Sequence, residues 1–220
     1  VARLLANRTL EQALHREGCH AVAGVDEAGR GCLAGPVTAA AVIMHPDRGI
    51  AGLADSKILT ARQRDVLYAC IIDEAAAWSV VSIPVDEIDR INIHQASLLA
   101  MRTALEALAP APDAVLVDGF AIPQLPWRQQ TIIKGDLTCA VIAAASIVAK
   151  VTRDRLMHDL HAADPRYGFD RHKGYGTAEH VRALQRHGRS PHHRRSFMPK
   201  ALMAAPQQVL PLETPVAGRS

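Results

Sequence analysis

The chain lacks the features that would place it in a membrane, a disulfide framework or a repeat array. Its four cysteines, Cys19, Cys32, Cys70 and Cys139, form no CxxC pair and sit mostly in apolar runs. They are expected to be reduced, buried thiols of a cytosolic protein. The longest uncharged apolar run, Cys139 to Ala149, falls short of the roughly 20 residues that a bilayer span needs. The opening VARLLANRTLEQ has neither a long apolar core nor a small-residue cleavage site, so no signal peptide is expected and the expected location is cytoplasmic. Acid is nearly missing from one stretch. From Arg171 to Lys200 the only carboxylate is Glu179, against Arg171, Lys173, Arg182, Arg186, Arg189, Arg194, Arg195 and Lys200. Such a segment is expected to face polyanions. Its five histidines, His172, His180, His187, His192 and His193, add charge only at lower pH.

What is present fits one domain with a sizeable core: 220 residues, 49% hydrophobic, 21% charged, with a formal charge of +3. Residues 22 to 31, VAGVDEAGRG, run from an apolar strand into two adjacent carboxylates, Asp26 and Glu27, and then into Gly29-Arg30-Gly31. Neighbouring carboxylates repel unless a hard divalent cation such as Mg²⁺ or Mn²⁺ neutralises them. Glycines beside Arg30 let backbone N–H groups approach a phosphate or sugar. Two more short β-prone runs end in acid: Ala114 to Val117 before Asp118-Gly119, and Thr131 to Ile133 before Lys134-Gly135-Asp136. Strand ends of one sheet lie side by side, which would gather Asp26, Glu27, Asp118 and Asp136 into one cluster.

Periodicity and turn chemistry order the rest. Leu4, Leu5, Leu10 and Leu14 suggest an amphipathic helix over 3–17, and Val22–Val25, Val37–Met44 and Ser79–Ile83 read as strands. Thr60 with Gln63 matches a capping box, and Asp86 is placed to cap a helical region that runs to Pro110. Strands follow at 114–117 and 130–133. Thr138 begins an Ala-rich helix that is apolar nearly all round, on which Ser146 and Lys150 stand four apart. A last helix is expected from Thr177 to Arg186. Strands separated by helices indicate an α/β fold with a mixed sheet. Residues 1–200 are expected to be one catalytic domain with a basic helical extension at about 165–200, followed by a weakly ordered tail at 201–220.

The chain resembles ribonuclease HII, the bacterial type 2 RNase H. The resemblance runs through VDEAGRGCLAGPV at 25–37, DSK at 55–57, VDG at 117–119, KGD at 134–136, AASIVAKVTRD at 144–154 and HKGYGT at 172–177. It implies the RNase H-like architecture, a five-stranded mixed sheet flanked by helices with a carboxy-terminal helical extension. It also implies that Asp26, Glu27, Asp118 and Asp136 hold two Mg²⁺ or Mn²⁺ ions. Such a pair makes a water nucleophilic and stabilises the leaving oxygen of a phosphodiester, giving 3′-hydroxyl and 5′-phosphate ends on the RNA strand of an RNA:DNA hybrid or 5′ of a ribonucleotide in duplex DNA. No histidine base is required, and His172 reads as a surface or loop residue.

By the same resemblance, backbone groups of Gly29, Arg30 and Gly31 read the 2′-hydroxyl, and Tyr175 packs on the deoxyribose beyond the ribonucleotide. Lys57, Ser146 and Lys150 fit phosphate contacts. Arg153-Asp154 reads as a structural ion pair. Where the family commonly has a polar residue after VDG, this chain has Phe120. In the tail, Gln208 to Leu212 loosely resembles the short peptides that dock on the bacterial sliding clamp, which would make a weak contact there. The expected working form is a monomer. A dinucleotide fingerprint over Gly29–Gly35 is disfavoured because Pro36 and a strand follow where a helix must open. A non-catalytic nucleic-acid-binding module would have no use for four carboxylates, and a resolvase or transposase core would not require a ribonucleotide.

Overall fold

The computed structural model describes residues 6–54 and 56–197. Asp55 of the DSK motif, Lys200 and the expected tail at 201–220, with its clamp-like peptide, lie outside them. Five strands form one sheet: β1 (Val22–Ala28), β2 (Val37–Met44), β3 (Ala75–Ile83), β4 (Ala114–Asp118) and β5 (Arg128–Ile132), in the order β3-β2-β1-β4-β5. β1, β2 and β3 pair antiparallel, whereas β4 runs parallel to β1 and β5 parallel to β4. The mixed sheet flanked by helices is the α/β architecture read from the sequence.

β2 is buried at every residue, as a central strand covered on both faces must be. One face packs on helix α6 (Ala140–Ala163), which meets Val22, Ala40, Val42 and Leu116. The other face, with Ala23, Val25, Ala39, Ala41, Val115 and Val117, meets helix α4 (Ile93–Glu106). This alternation is the two-residue period of a strand. α6 lies hard against β1 at Gly24, where a Cβ would stand 2.4 Å from the backbone carbon of Val141. Any side chain at residue 24 would push the helix off the sheet, an overpacking that costs on the order of 1–3 kcal/mol or more.

Several boundaries differ from the sequence expectations for identifiable reasons. Of the amino-terminal helix expected over 3–17, residues 3–5 with Leu4 and Leu5 lie outside the described residues and α1 spans Thr9–Arg16, while α2 (Ala61–Glu74) opens on the full Thr60–Gln63 capping box. The helical region after Pro84 is two helices, α3 (Val85–Ile91) and α4. Asn92 breaks it with φ 68° and caps α4 through its side chain, which accepts from the Gln95 N–H. Asp86 lies within the first turn of α3, where its charge favours the helix dipole, and makes no cap. β5 begins at Arg128 and stops at Ile132, which leaves Ile133 84% exposed. Thr138 closes a short turn, α5 (Gly135–Thr138), and α6 starts only after Cys139.

The carboxy-terminal extension contains a 3-10 turn at Pro165–Tyr167, α7 (Phe169–His172) and α8 (Ala178–His187), the last capped by Thr177. Tyr167, Phe169 and Leu184 pack with Ala34 and Met157 in a small core of their own. Three histidines join it. His172, His180 and His193 are buried, with His180 Nε2 3.0 Å from His193 Nε2 and the His172 ring stacked on His180. The reading of His172 as a surface residue is therefore corrected: its imidazole bridges the Tyr167 carbonyl and the Gly174 N–H. Cysteine burial is likewise uneven, since all four are free but Cys70 is exposed. Among the described residues no helix is long and apolar enough to cross a membrane.

Candidate active site

The three parallel strands end on one edge of the sheet. Val25 of β1 lies opposite Val117 of β4, and Asp118 opposite Ile132 of β5. Carboxyl ends of parallel strands are where α/β folds place ligands, and here they carry Asp26 and Glu27, Asp118, and the Lys134-Gly135-Asp136 turn. Lys134 takes the left-handed conformation at φ 56°, which swings the chain so that the Gly135 N–H donates to Asp118 Oδ1 at 2.7 Å. Asp136 follows at once, accepting from Lys57 Nζ at 2.7 Å. Asp26 and Asp136 are buried, Glu27 and Asp118 partly so.

The cluster is short of positive charge. Burial, then repulsion from Glu27 and Asp118, raises the Asp26 carboxyl well above its ordinary range, although the pull of Ser146 and the hydrogen bond from the Glu27 N–H both oppose it. Burial likewise raises Glu27 against the opposing pull of Arg30. Asp118 is raised by burial, and by Asp136, against the Gly135 hydrogen bond. Carboxylates that disfavour their own ionisation at the rim of a sheet fit a hard divalent cation, which would reverse that preference. As they stand, no three such side chains among the described residues are arranged to close on one ion. Asp136 is turned to Lys57, and one oxygen each of Asp26 and Asp118 is turned to a backbone N–H.

Beside the carboxylates, Gly29-Arg30-Gly31 is held from beneath. Gly29 has φ +90°, and a Cβ on it would stand 1.9 Å from Arg153 Nε, so no other residue fits without displacing that guanidinium. Two fully buried arginines brace the loop. Arg153 donates to the carbonyls of Pro36, Lys173 and Ala34. Arg194 donates to those of Gly35, Arg30 and Gly29. The sequence pairs Arg153 with its neighbour Asp154 and sets Arg194 among phosphate-facing cations. Asp154 instead pairs with Lys150 at 2.7 Å, and Arg194 has no exposed surface to offer a phosphate.

The remaining candidates divide between rim and interior. Tyr175 is 42% exposed between Gly174 and Gly176, with Lys150 Nζ 5.8 Å and Arg153 Cζ 6.0 Å from its ring centre. The buried Cys32 thiol, next to Gly31, donates to the Lys173 carbonyl. Arg30 reaches Glu27 Oε1 at 3.4 Å and His94 Nδ1 at 3.2 Å. Lys57 is well exposed apart from its end on Asp136. Ser146 is buried and turned to Asp26 and to Ser56 Oγ at 3.0 Å, beneath the carboxylates rather than at the surface. The braces Arg153 and Arg194, and His94 on the first turn of α4, escaped the sequence. Nothing in a basic segment marks which arginine turns inward.

Comparison with known proteins gives the chain its family. The family model described as Ribonuclease HII matches residues 23–200. A ribonuclease HII of Ralstonia nicotianae is 56% identical over 188 residues, covering 83% of this chain and 80% of its own. Among solved structures, ribonuclease H2 from Pyrococcus horikoshii superimposes with a TM-score of 0.67 at 27% identity, covering 80% of this chain and 93% of that one. Bst-RNase HIII in complex with Mn²⁺ shares the fold, with a TM-score of 0.64 at 21% identity over 84% of this chain and 69% of its own. With the family model spanning most of its length and a relative more than half identical across it, the chain belongs to the ribonuclease HII family of RNase H endonucleases.

Proposed function

We propose that the chain hydrolyses the RNA strand of RNA:DNA hybrids and cuts 5′ of ribonucleotides embedded in duplex DNA, leaving 3′-hydroxyl and 5′-phosphate ends, in ribonucleotide excision and RNA primer removal. The observation that carries this reading is the under-neutralised cluster of Asp26, Glu27 and Asp118 beside the braced Gly29-Arg30-Gly31 loop. Asp26, Glu27, Asp118 and Asp136 would hold two Mg²⁺ or Mn²⁺ ions, which supply the Lewis acidity that phosphodiester hydrolysis needs.

The protein's own residues do the rest. The Glu27 N–H fixes the Asp26 carboxylate, and the Gly135 N–H fixes Asp118. Lys57 neutralises Asp136 where a divalent cation would otherwise do so. Backbone groups of Gly29, Arg30 and Gly31, immobilised by Arg194, are offered to the ribose 2′-hydroxyl, the one group that separates RNA from DNA at a given position. Tyr175 presents its ring to the adjoining deoxyribose, with Lys150 beside it for a phosphate. Residues 1–200 are read as the catalytic domain of a cytoplasmic monomer, and the tail beyond as the site of any weak clamp contact.

The test compares cleavage of duplex DNA containing one ribonucleotide, a continuous RNA:DNA hybrid and an all-DNA duplex, each with Mg²⁺ or Mn²⁺ and with chelator. Cleavage of the first two, confined to the divalent ions, is expected. Cleavage of all-DNA duplex at a similar rate would move the chain to a resolvase-like reading.

A further inference from the structure

Two aromatic rings stand on opposite sides of the Gly29-Arg30-Gly31 loop. Tyr175 lies on the side braced by Arg153 of α6. Phe120 lies on the side of α4, two residues beyond Asp118, where Gly119 turns the chain with φ +75°. Phe120 is 56% exposed, and a single exposed apolar residue needs no explanation by itself. Its surroundings do. Arg30 Cζ sits 5.2 Å from the ring centre, and the His94 ring meets it edge-on at 5.6 Å with an interplanar angle of 86°. His94 also contacts the same guanidinium, 3.2 Å from Nδ1, and Glu27 anchors its other side. The ring is thus fixed by a cation–π contact and an edge contact. It is held half-exposed beside the loop proposed to read the sugar.

We propose that the open face of Phe120 packs against a sugar ring of the bound duplex, making it a second ring contact that flanks Arg30 opposite Tyr175. This rests on the reading of the chain as a nuclease acting on ribonucleotide-containing duplexes. The occupant follows from the chemistry of that substrate. In a duplex the base faces are stacked and paired, so the apolar surface left for a protein ring near the backbone is the C–H face of a sugar. The guanidinium already against Phe120 is suited to the adjoining phosphate. The same strand ends expose Ile133, which widens the apolar rim of the site.

Full burial of a Phe is worth roughly 1.5–3 kcal/mol, and about half of this ring remains to be covered. Removing it should therefore raise KM roughly 4- to 12-fold for duplex DNA carrying one ribonucleotide. Wild type, Phe120→Ser, Phe120→Leu and Phe120→Trp are compared by steady-state cleavage in Mg²⁺, with melting curves for each. Phe120→Ser is expected to raise KM with kcat little changed, Phe120→Trp to restore it, and Phe120→Leu to fall between.

The duplex is then shortened stepwise from either end. The KM gap between wild type and Phe120→Ser should close when the contacted nucleotide is removed. A gap that persists at every length, or a KM unmoved in both Phe120→Ser and Phe120→Leu while wild type cleaves normally, overturns this inference alone. Wild type that cleaves no ribonucleotide-containing duplex overturns the proposed function and this inference with it.

Discussion

Replacing Asp26 with Asn should make the metal-free protein more stable and the metal-loaded protein inactive. Asp26 is only 5% exposed, and burial followed by repulsion from Glu27 and Asp118 raises its carboxyl. A group whose folded pKa lies above its unfolded value holds its stability below the unfolded pKa, about 3.9 for Asp, and loses it as pH rises through the folded value. At neutral pH the raised Asp26 carboxyl is therefore a liability that Asn removes. Like charges a few ångströms apart at a partly buried site repel by on the order of 1–3 kcal/mol. Weakening the hydrogen bonds from the Glu27 N–H and Ser146 returns about 1 kcal/mol of that. The net gain is about 1 kcal/mol, or roughly 2–4 °C in Tm for a chain of this size.

Divalent cation at 100 times its Kd stabilises wild type by about 2.7 kcal/mol, which Asp26→Asn forfeits in large part. The two melting curves should therefore cross over on titration with Mg²⁺ or Mn²⁺. Cleavage by the variant should fall at least about 100-fold, the upper loss seen when only a residue supporting a ligand is removed. Thermal melting from pH 3.5 to 7.5, with and without metal, checks every part. An Asn variant that melts below wild type in chelator at neutral pH, or that gains as much from metal as wild type does, refutes the reasoning.

Tyr175→Ala should lower cleavage at a single ribonucleotide in DNA more than cleavage within a continuous hybrid, and equal losses on both would contradict its role at the junction. Arg194→Met should cost about 3–5 kcal/mol in urea denaturation, because it strands the carbonyls of Gly29, Arg30 and Gly35 in the interior; a loss under 1 kcal/mol would mean the loop needs no brace. By contrast Arg195→Gln, whose side chain is exposed, should leave stability alone and shallow the dependence of log K on log salt by about one phosphate contact. Burial lowers His172, His180 and His193, the last to about 4. These groups contribute stability that is present above about pH 6.5 and lost as pH falls through their folded values. Near-ultraviolet circular dichroism should show the environment of Tyr167 and Phe169 loosening between pH 6 and 4, and a flat profile would sink that reading.

The fold was legible where one short rule decided it. β2 showed as an unbroken apolar run because a strand covered on both faces has no polar side, and the Thr60–Gln63 box marked the start of α2 because its chemistry is local. β5 was misplaced because RQQTI at a sheet edge needs apolar cover on one face at most, while the more apolar Thr131–Ile133 drew the boundary outward. The division of α3 from α4 was hidden for a related reason. Asn92 interrupts a helical periodicity that continues on both sides, and only its left-handed backbone gives the break away.

The carboxylates could be found from the sequence because acid at the end of an apolar run is conspicuous, and β1, β4 and β5 each supply one such end to the same edge. The parts that make this edge a site could not. Arg194 and Arg195 are adjacent and chemically identical in the sequence, yet one donates to three buried carbonyls and the other stands in solvent. What separates them is where the extension crosses the Gly29–Gly35 loop, a contact between segments about 160 residues apart. A buried guanidinium is tolerated only when carbonyls already converge on it, so its burial is a property of the assembled fold and not of the residue. The extension, read from sequence as a basic surface for polyanions, therefore does a second job: Arg194 and the Gly174–Gly176 turn fix the loop and the ring that are proposed to meet the sugar. Loosening the extension by Arg194→Met should impair substrate recognition before it disturbs the carboxylates of β1 and β4.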